Sequence, residues 1–204
     1  MISKIDICNM ALAHLGQEPI SSIKQDNERA RRCDLFYEPV KREVLRTHNW
    51  AFAASVSTLA LLQQNKASDW PYMYAYPQDC LFLRRVFGAG NHHQACEFKE
   101  LYQNDIHAKV IYCGIDQARA EYTRDVTDEG GFDPAFVKAF SLALAADLAV
   151  TLTGDVALTQ RILQKYTTFS LNFTIIYLYV PPIFIILLYH ILIKIGSILY
   201  NFFP

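Results

Sequence analysis

Few residues in this chain have the types and spacing to do chemistry. His92, His93 and Cys96 form an H-H-x-x-C cluster. Zinc favours four nitrogen or sulfur ligands in a tetrahedron, and Cys113, on a nearby predicted strand, could supply the fourth. The plainer reading is a loop with two exposed histidines beside a strand cysteine. Asp125, Asp128 and Glu129 could offer carboxylate oxygens to a cation, or form a solvated turn. Gly88-x-Gly90 lacks the third glycine and the strand-to-helix setting of a dinucleotide loop. Thr153-Gly154-Asp155 is a junction between helices. No G-x-S-x-G, H-E-x-x-H or Cys/His pairing points to an enzyme. No catalytic residue, metal or cofactor is therefore expected.

Charge is densest between Lys24 and Arg46, where seven basic residues face five acids. Arg29, Arg32, Glu38, Arg42 and Arg46 are candidate subunit-interface residues, since alternating signs on a helix can fix register between neighbouring subunits. The alternative is a solvated helix with i,i+4 pairs such as Glu38–Arg42. The aromatic run Trp70–Tyr76 has no interleaved Arg or Lys, so it suits an interface or a core better than base stacking.

These groups hang on a helix–strand–helix pattern. Ser3 with Asp6 makes a capping box for a helix over 3–15, which Gly16 ends. A second helix spans 27–48 with Asp26 near its start, and Pro39 should kink or split it. Residues 52–126 carry strand signals, most simply a β-meander, with 52–62 and 81–87 flanking the aromatic loop. Segments 97–102, 108–113 and 118–126 follow, the last alternating Ala118, Ala120 and Tyr122 with Arg119, Glu121 and Arg124. Asp133-Pro134 opens a helix over 134–152, and a last helix covers 155–166. The expected class is α+β, with the terminal helices bundled beside a small antiparallel sheet and a hydrophobic C-terminal segment attached.

Composition sets two further bounds. The 204 residues carry 19 Lys+Arg and 20 Asp+Glu, a net charge of −1, which argues against a dedicated nucleic-acid binder. Lys4, Asp6 and His14 interrupt any signal-peptide core. The five cysteines contain no C-x-x-C pair and are expected to stay reduced.

The stretch Ile5-Asp6-Ile7-Cys8-Asn9-Met10-Ala11-Leu12-Ala13-His14-Leu15-Gly16-Gln17-Glu18-Pro19-Ile20 resembles the tail tubular protein A family, the head-to-tail adaptor of short-tailed bacteriophages. Ala30-Arg31-Arg32, Leu35-Phe36-Tyr37, Val40 to Arg46 and Trp50-Ala51-Phe52-Ala53 continue the resemblance. Tyr76 to Arg84 is similar to the family's Y-P-x-D-x-L strand entry, and Phe136 to Gly154 to its long C-terminal helix. The match covers about residues 3–166. It implies a structural role in the virion, or in the bacterial cytoplasm before assembly. It also implies a ring of about twelve identical subunits between the portal protein and the tail nozzle protein. DNA would pass through the lumen without sequence-specific binding, and a near-neutral chain suits a duplex that must slide. No catalytic residue carries over.

Residues 167–204 depart from that pattern. Lys194 is their only charged side chain, 25 of the 38 are apolar and nine are Ile. Phe, Ile, Tyr, Asn and Lys, all encoded by AT-rich codons, make up 21 of them. A composition jump at the point where the family pattern stops predicts out-of-frame translation in a decaying prophage gene. The physical alternative is a membrane segment over about 171–193, with Phe173, Ile176, Pro181, Pro182, Ile186 and Leu192 along it. The uncharged run from Thr167 to Ile193 is long enough as a helix to cross a core of about 30 Å. Residues 1–166 would then be a cytosolic interaction domain on a membrane anchor.

Overall fold

The computed structural model describes the backbone of residues 2–88 and 90–177, with side chains except at 91–94 and 172–177. The class is α+β: among the described residues four α-helices form one lobe and two antiparallel sheets form the other.

The helical lobe follows its local signals. In α1 (Lys4–His14) the Ser3 hydroxyl accepts from the Asp6 amide at 3.2 Å, and the Asp6 carboxylate accepts from the Ser3 amide at 2.9 Å. Gly16 follows with φ +67°, a conformation open to glycine at little cost. The cap of α2 (Glu28–Thr47) is Asn27, whose side chain accepts from the Ala30 amide at 2.8 Å. The expected Asp26 lies one residue earlier and pairs with Arg31 instead. Pro39 does not split α2. Pro39 and Leu35 both face solvent, so the ring has room and the Leu35 carbonyl that loses its amide partner is on the wet side. Asp133 caps α3 (Pro134–Thr153) at 2.7 Å to the Ala135 amide, and Gly154 ends it at φ +64°.

Helix α3 is the centre of this lobe: α1, α2 and α4 (Val156–Tyr177) all pack on it. It is therefore apolar nearly all round. Among the described residues α3 is the one helix long and apolar enough to cross a membrane, and most of it is buried in this core. Phe136 is fully buried in a ring of aromatics, with centroids at 5.2 Å to Trp50, 5.0 Å to Phe52 and 4.9 Å to Phe132. The indole of Trp50 donates to the Val44 carbonyl at 2.9 Å, so its polar edge is satisfied.

Between α2 and α3 the chain makes eight strands: β1 (Ala54–Thr58), β2 (Leu61–Gln64), β3 (Tyr72–Ala75), β4 (Cys80–Gly88), β5 (Asn91–Cys96), β6 (Phe98–Gln103), β7 (Ala108–Cys113) and β8 (Ala118–Arg124). They are not one meander. One sheet has the order β1-β8-β4-β5 and the other β2-β3-β7-β6. The chain passes between the sheets four times, at Leu59-Ala60, at 76–79, at Glu97 and at 114–117, so alternate connections cross from one sheet to the other. A second core, including Leu83, Val86, Ile111, Ala118 and Ala120, lies between the sheets. The Tyr74 hydroxyl bridges them, donating to the Ile115 carbonyl at 2.8 Å and accepting from the Ala118 amide at 3.3 Å.

Three expectations are corrected here. The aromatic loop contains β3, with Met73 and Tyr74 buried, and the segment around His92 and His93 is strand β5 rather than a loop. Helix α4 also runs on to Tyr177, past the expected end at 166. Phe169 packs on the helical core and Ser170 meets the His48 ring at 2.8 Å. The compositional boundary at Thr167 is thus not a break in the fold.

Candidate functional site

The charged residues singled out on α2 mostly have partners within the chain. Arg29 pairs with Glu18 at 3.1 Å, and Arg32 with Glu28 at 2.6 Å. Glu38 pairs not with Arg42 but with Lys41, at 2.7 Å, and the Lys41 side chain is only 3% exposed. Arg42 reaches across to Asp125 at 2.8 Å, and Arg46 donates to the Leu81 carbonyl at 2.9 Å. These residues do not form one outward patch. Arg29, Arg32 and Glu38 tie down α2 and its approach, while Arg42 and Arg46 fasten α2 to the β lobe.

That seam centres on Arg84 of β4, which sequence reasoning missed. Its guanidinium donates to the His48 carbonyl at 2.6 Å and the Arg46 carbonyl at 3.3 Å, while its Nε donates to the Thr123 hydroxyl at 2.9 Å. The last carbonyls of a helix lack amide partners and carry the negative end of its dipole. A cation from the other lobe therefore caps α2. The Phe82 ring centroid is 4.6 Å from this guanidinium and 5.0 Å from that of Arg46.

The candidate cation ligands are spent on similar tasks. Asp125 holds Arg42, Asp128 accepts from the Gly130 amide, and Glu129 accepts from the Tyr37 hydroxyl at 3.3 Å. They do not converge. In the H-H-x-x-C cluster the side chains of His92 and His93 lie outside the described residues. Cys96 and Cys113 do come together across the two sheets; burial, then the Cys113 thiol, raises Cys96 to about 11. No group of three metal-binding side chains is found among the described residues. Of the candidate membrane residues, Phe173 and Ile176 fall on the backbone of α4. Their side chains, and Pro181, Pro182, Ile186 and Leu192, lie outside the described residues.

Two charge features had no sequence signal, because their members are far apart in the chain. The first is a groove of about 560 Å³ between α1, α3 and α4, lined by His14, Lys138, Arg161 and Lys165 around Leu142 and Phe169. Partial burial, then Lys165 and Lys138, lowers the His14 imidazole below its ordinary value. The Lys138 ammonium sits 5.0 Å from the Phe169 ring centroid. The second is a pair of acids, Glu43 on α2 and Asp147 on α3. Partial shielding, then Glu43, raises the Asp147 carboxyl. Arg161 and Lys165 are spaced i,i+4, which hints at one half of the groove, but nothing local joins them to His14 or Lys138.

No protein-family model matches this chain, and no curated protein matches it either.

Proposed function

We propose that this protein is a structural head-to-tail connector of a short-tailed phage or prophage. It would form a ring of about twelve copies between portal and tail nozzle, with DNA passing through. The observation that carries the reading is the resemblance of Ile5–Ile20 and Ala30–Ala53 to the tail tubular protein A family; these residues build α1, α2 and the entry to the β lobe. An architecture of two separately cored lobes, joined by ion pairs and a capped helix, suits a scaffold whose work is to hold neighbours. The test is electron microscopy of the full-length chain in a mild detergent, alone and with a portal protein. Rings of about twelve subunits that seat on the portal are expected. A strictly monomeric species at high concentration, with the portal present, sinks the reading.

The uncharged run Thr167–Ile193 favours a second reading, a membrane-anchored protein with residues 1–166 as a cytosolic interaction domain. Reading codons 155–204 of the gene in all three frames separates the two. Another frame that continues a polar amphipathic helix marks the tail as a frameshift scar on an ancestral connector. If no other frame does so, the anchor gains equal standing.

A further inference from the structure

The basic groove and the acidic pair lie on opposite flanks of the same helical layer. Lys138 and Asp147 are nine residues apart on α3, which turns them to opposite sides at about 100° per residue. On α4, Arg161 and Lys165 lie along one flank, in the groove with His14. The other flank presents Tyr166 and Ser170 to α2, where Ser170 meets His48. Glu43 and Asp147 are both exposed on the packed helices α2 and α3. Glu43 stands on that second side, where burial, then Glu43, raises the Tyr166 hydroxyl.

Neither set has an ion-pair partner among the described residues. Most cations of α2 have an acid partner, but no ion pair to Lys138, Arg161 or Lys165 is found among the described residues. None to Glu43 or Asp147 is found there either. Gathering like charges is unfavourable unless something of opposite sign meets them. In this chain the opposite sign is present on the other side of the layer, two acids against three cations and His14.

We propose that copies of this chain join head to tail, the groove of one subunit receiving Glu43 and Asp147 of the next. Leu142 and Phe169 form the apolar floor under the contact. Such a contact uses two different patches, so it propagates, and it closes into a ring if the rotation per subunit allows. The inference rests on the connector reading for its ring, but it locates the contact on the α1–α3–α4 groove rather than on the α2 cations. Duplex DNA is the less favoured occupant, because it would leave the acidic pair without a role.

The test is sedimentation velocity on the full-length chain in a mild detergent, at low and moderate salt. Salt-sensitive association of the wild type is expected. Lys138→Glu with Arg161→Glu should weaken it at least tenfold, as should Glu43→Lys with Asp147→Lys. Mixing the two reversed proteins should restore association, since each then offers the other a complementary patch; rescue also shows that both are folded. Lys165→Glu alone, at an exposed position, should give a partial loss. Wild type that stays monomeric overturns the proposal. So do reversed variants that associate like the wild type, and folded variants that fail to rescue one another. A labelled DNA duplex retained through Lys138 and Arg161, with association unchanged, overturns it in favour of nucleic acid. Rings that survive both reversals leave the connector reading standing. Charge-dependent association that gives only filaments, even with a portal, leaves this contact standing and sinks the connector.

Discussion

Replacing Arg84 with alanine should loosen the join between the two lobes. Two of its bonds are short, 2.6 Å to the His48 carbonyl and 2.9 Å to the Thr123 hydroxyl, while those to the Arg46 and Leu45 carbonyls are 3.3 and 3.5 Å. A hydrogen bond to a charged group contributes about 1.5–3 kcal/mol. Arg84 is partly exposed, so the low end applies to the two short bonds and little to the long ones. The expected loss is about 2–4 kcal/mol, which already contains the interaction with the helix terminus. For a chain of this size that lowers Tm by roughly 4–16 °C. Urea unfolding should be followed at two tryptophans, Trp50 in the helical core and Trp70 in the β lobe. A Trp70→Phe background then reports the helical lobe alone. Arg84→Ala should shift both transitions and separate them, while Arg84→Lys, with a point charge and no fork, should recover less than half of the loss. A loss under about 0.5 kcal/mol, or full rescue by lysine, would refute the capping argument.

Three further outcomes follow from the same geometry. Phe136→Ala should cost about 3–5 kcal/mol through the cavity it leaves, with a change in Trp50 fluorescence, because Phe136 is fully buried against that ring. Glu38→Ala should destabilise by about 1–2 kcal/mol in chemical denaturation, since it strands the buried Lys41 ammonium while Glu38 itself is half exposed; Lys41→Met should be near neutral. Burial, then Arg84, lowers the His48 imidazole from its ordinary 6.5. Its contribution to stability is therefore full above about pH 6.5 and is lost as the pH falls toward and through the lowered folded value. His48→Gln should flatten the stability–pH curve in that window, and an unchanged curve would contradict the assignment.

What the sequence disclosed was local. The Ser3–Asp6 capping box, the Asp133-Pro134 entry to α3, its Gly154 stop and the bounds of β7 all depend on residues within a few positions of one another. Strand β3 was hidden because Pro71 and Pro77 bracket an aromatic run without alternation. The histidines of β5 gave no strand signal. The split into two sheets depends on pairings such as Ala54 with Thr123, which no local window contains. The same limit applies to the site. Spacing suggested Glu38–Arg42, but the burial of Lys41 and the approach of Asp125 reassigned both partners. Arg84, the basic groove and the Glu43–Asp147 pair all join residues from distant segments.

The helical lobe is discontinuous in the chain. Helices α1 and α2 find their main partner only when α3 exists, and residues 48–133, which hold the entire β lobe, come between. At 5–20 residues per second a ribosome takes roughly 4–17 s to cross that stretch. By the end of that interval the β sandwich has every strand it needs, while Ile7, Leu12, Val44 and Leu45 still lack α3. Maturation is thus ordered from the middle outward, and a nascent chain stalled before Phe136 should bind a chaperone through its first two helices.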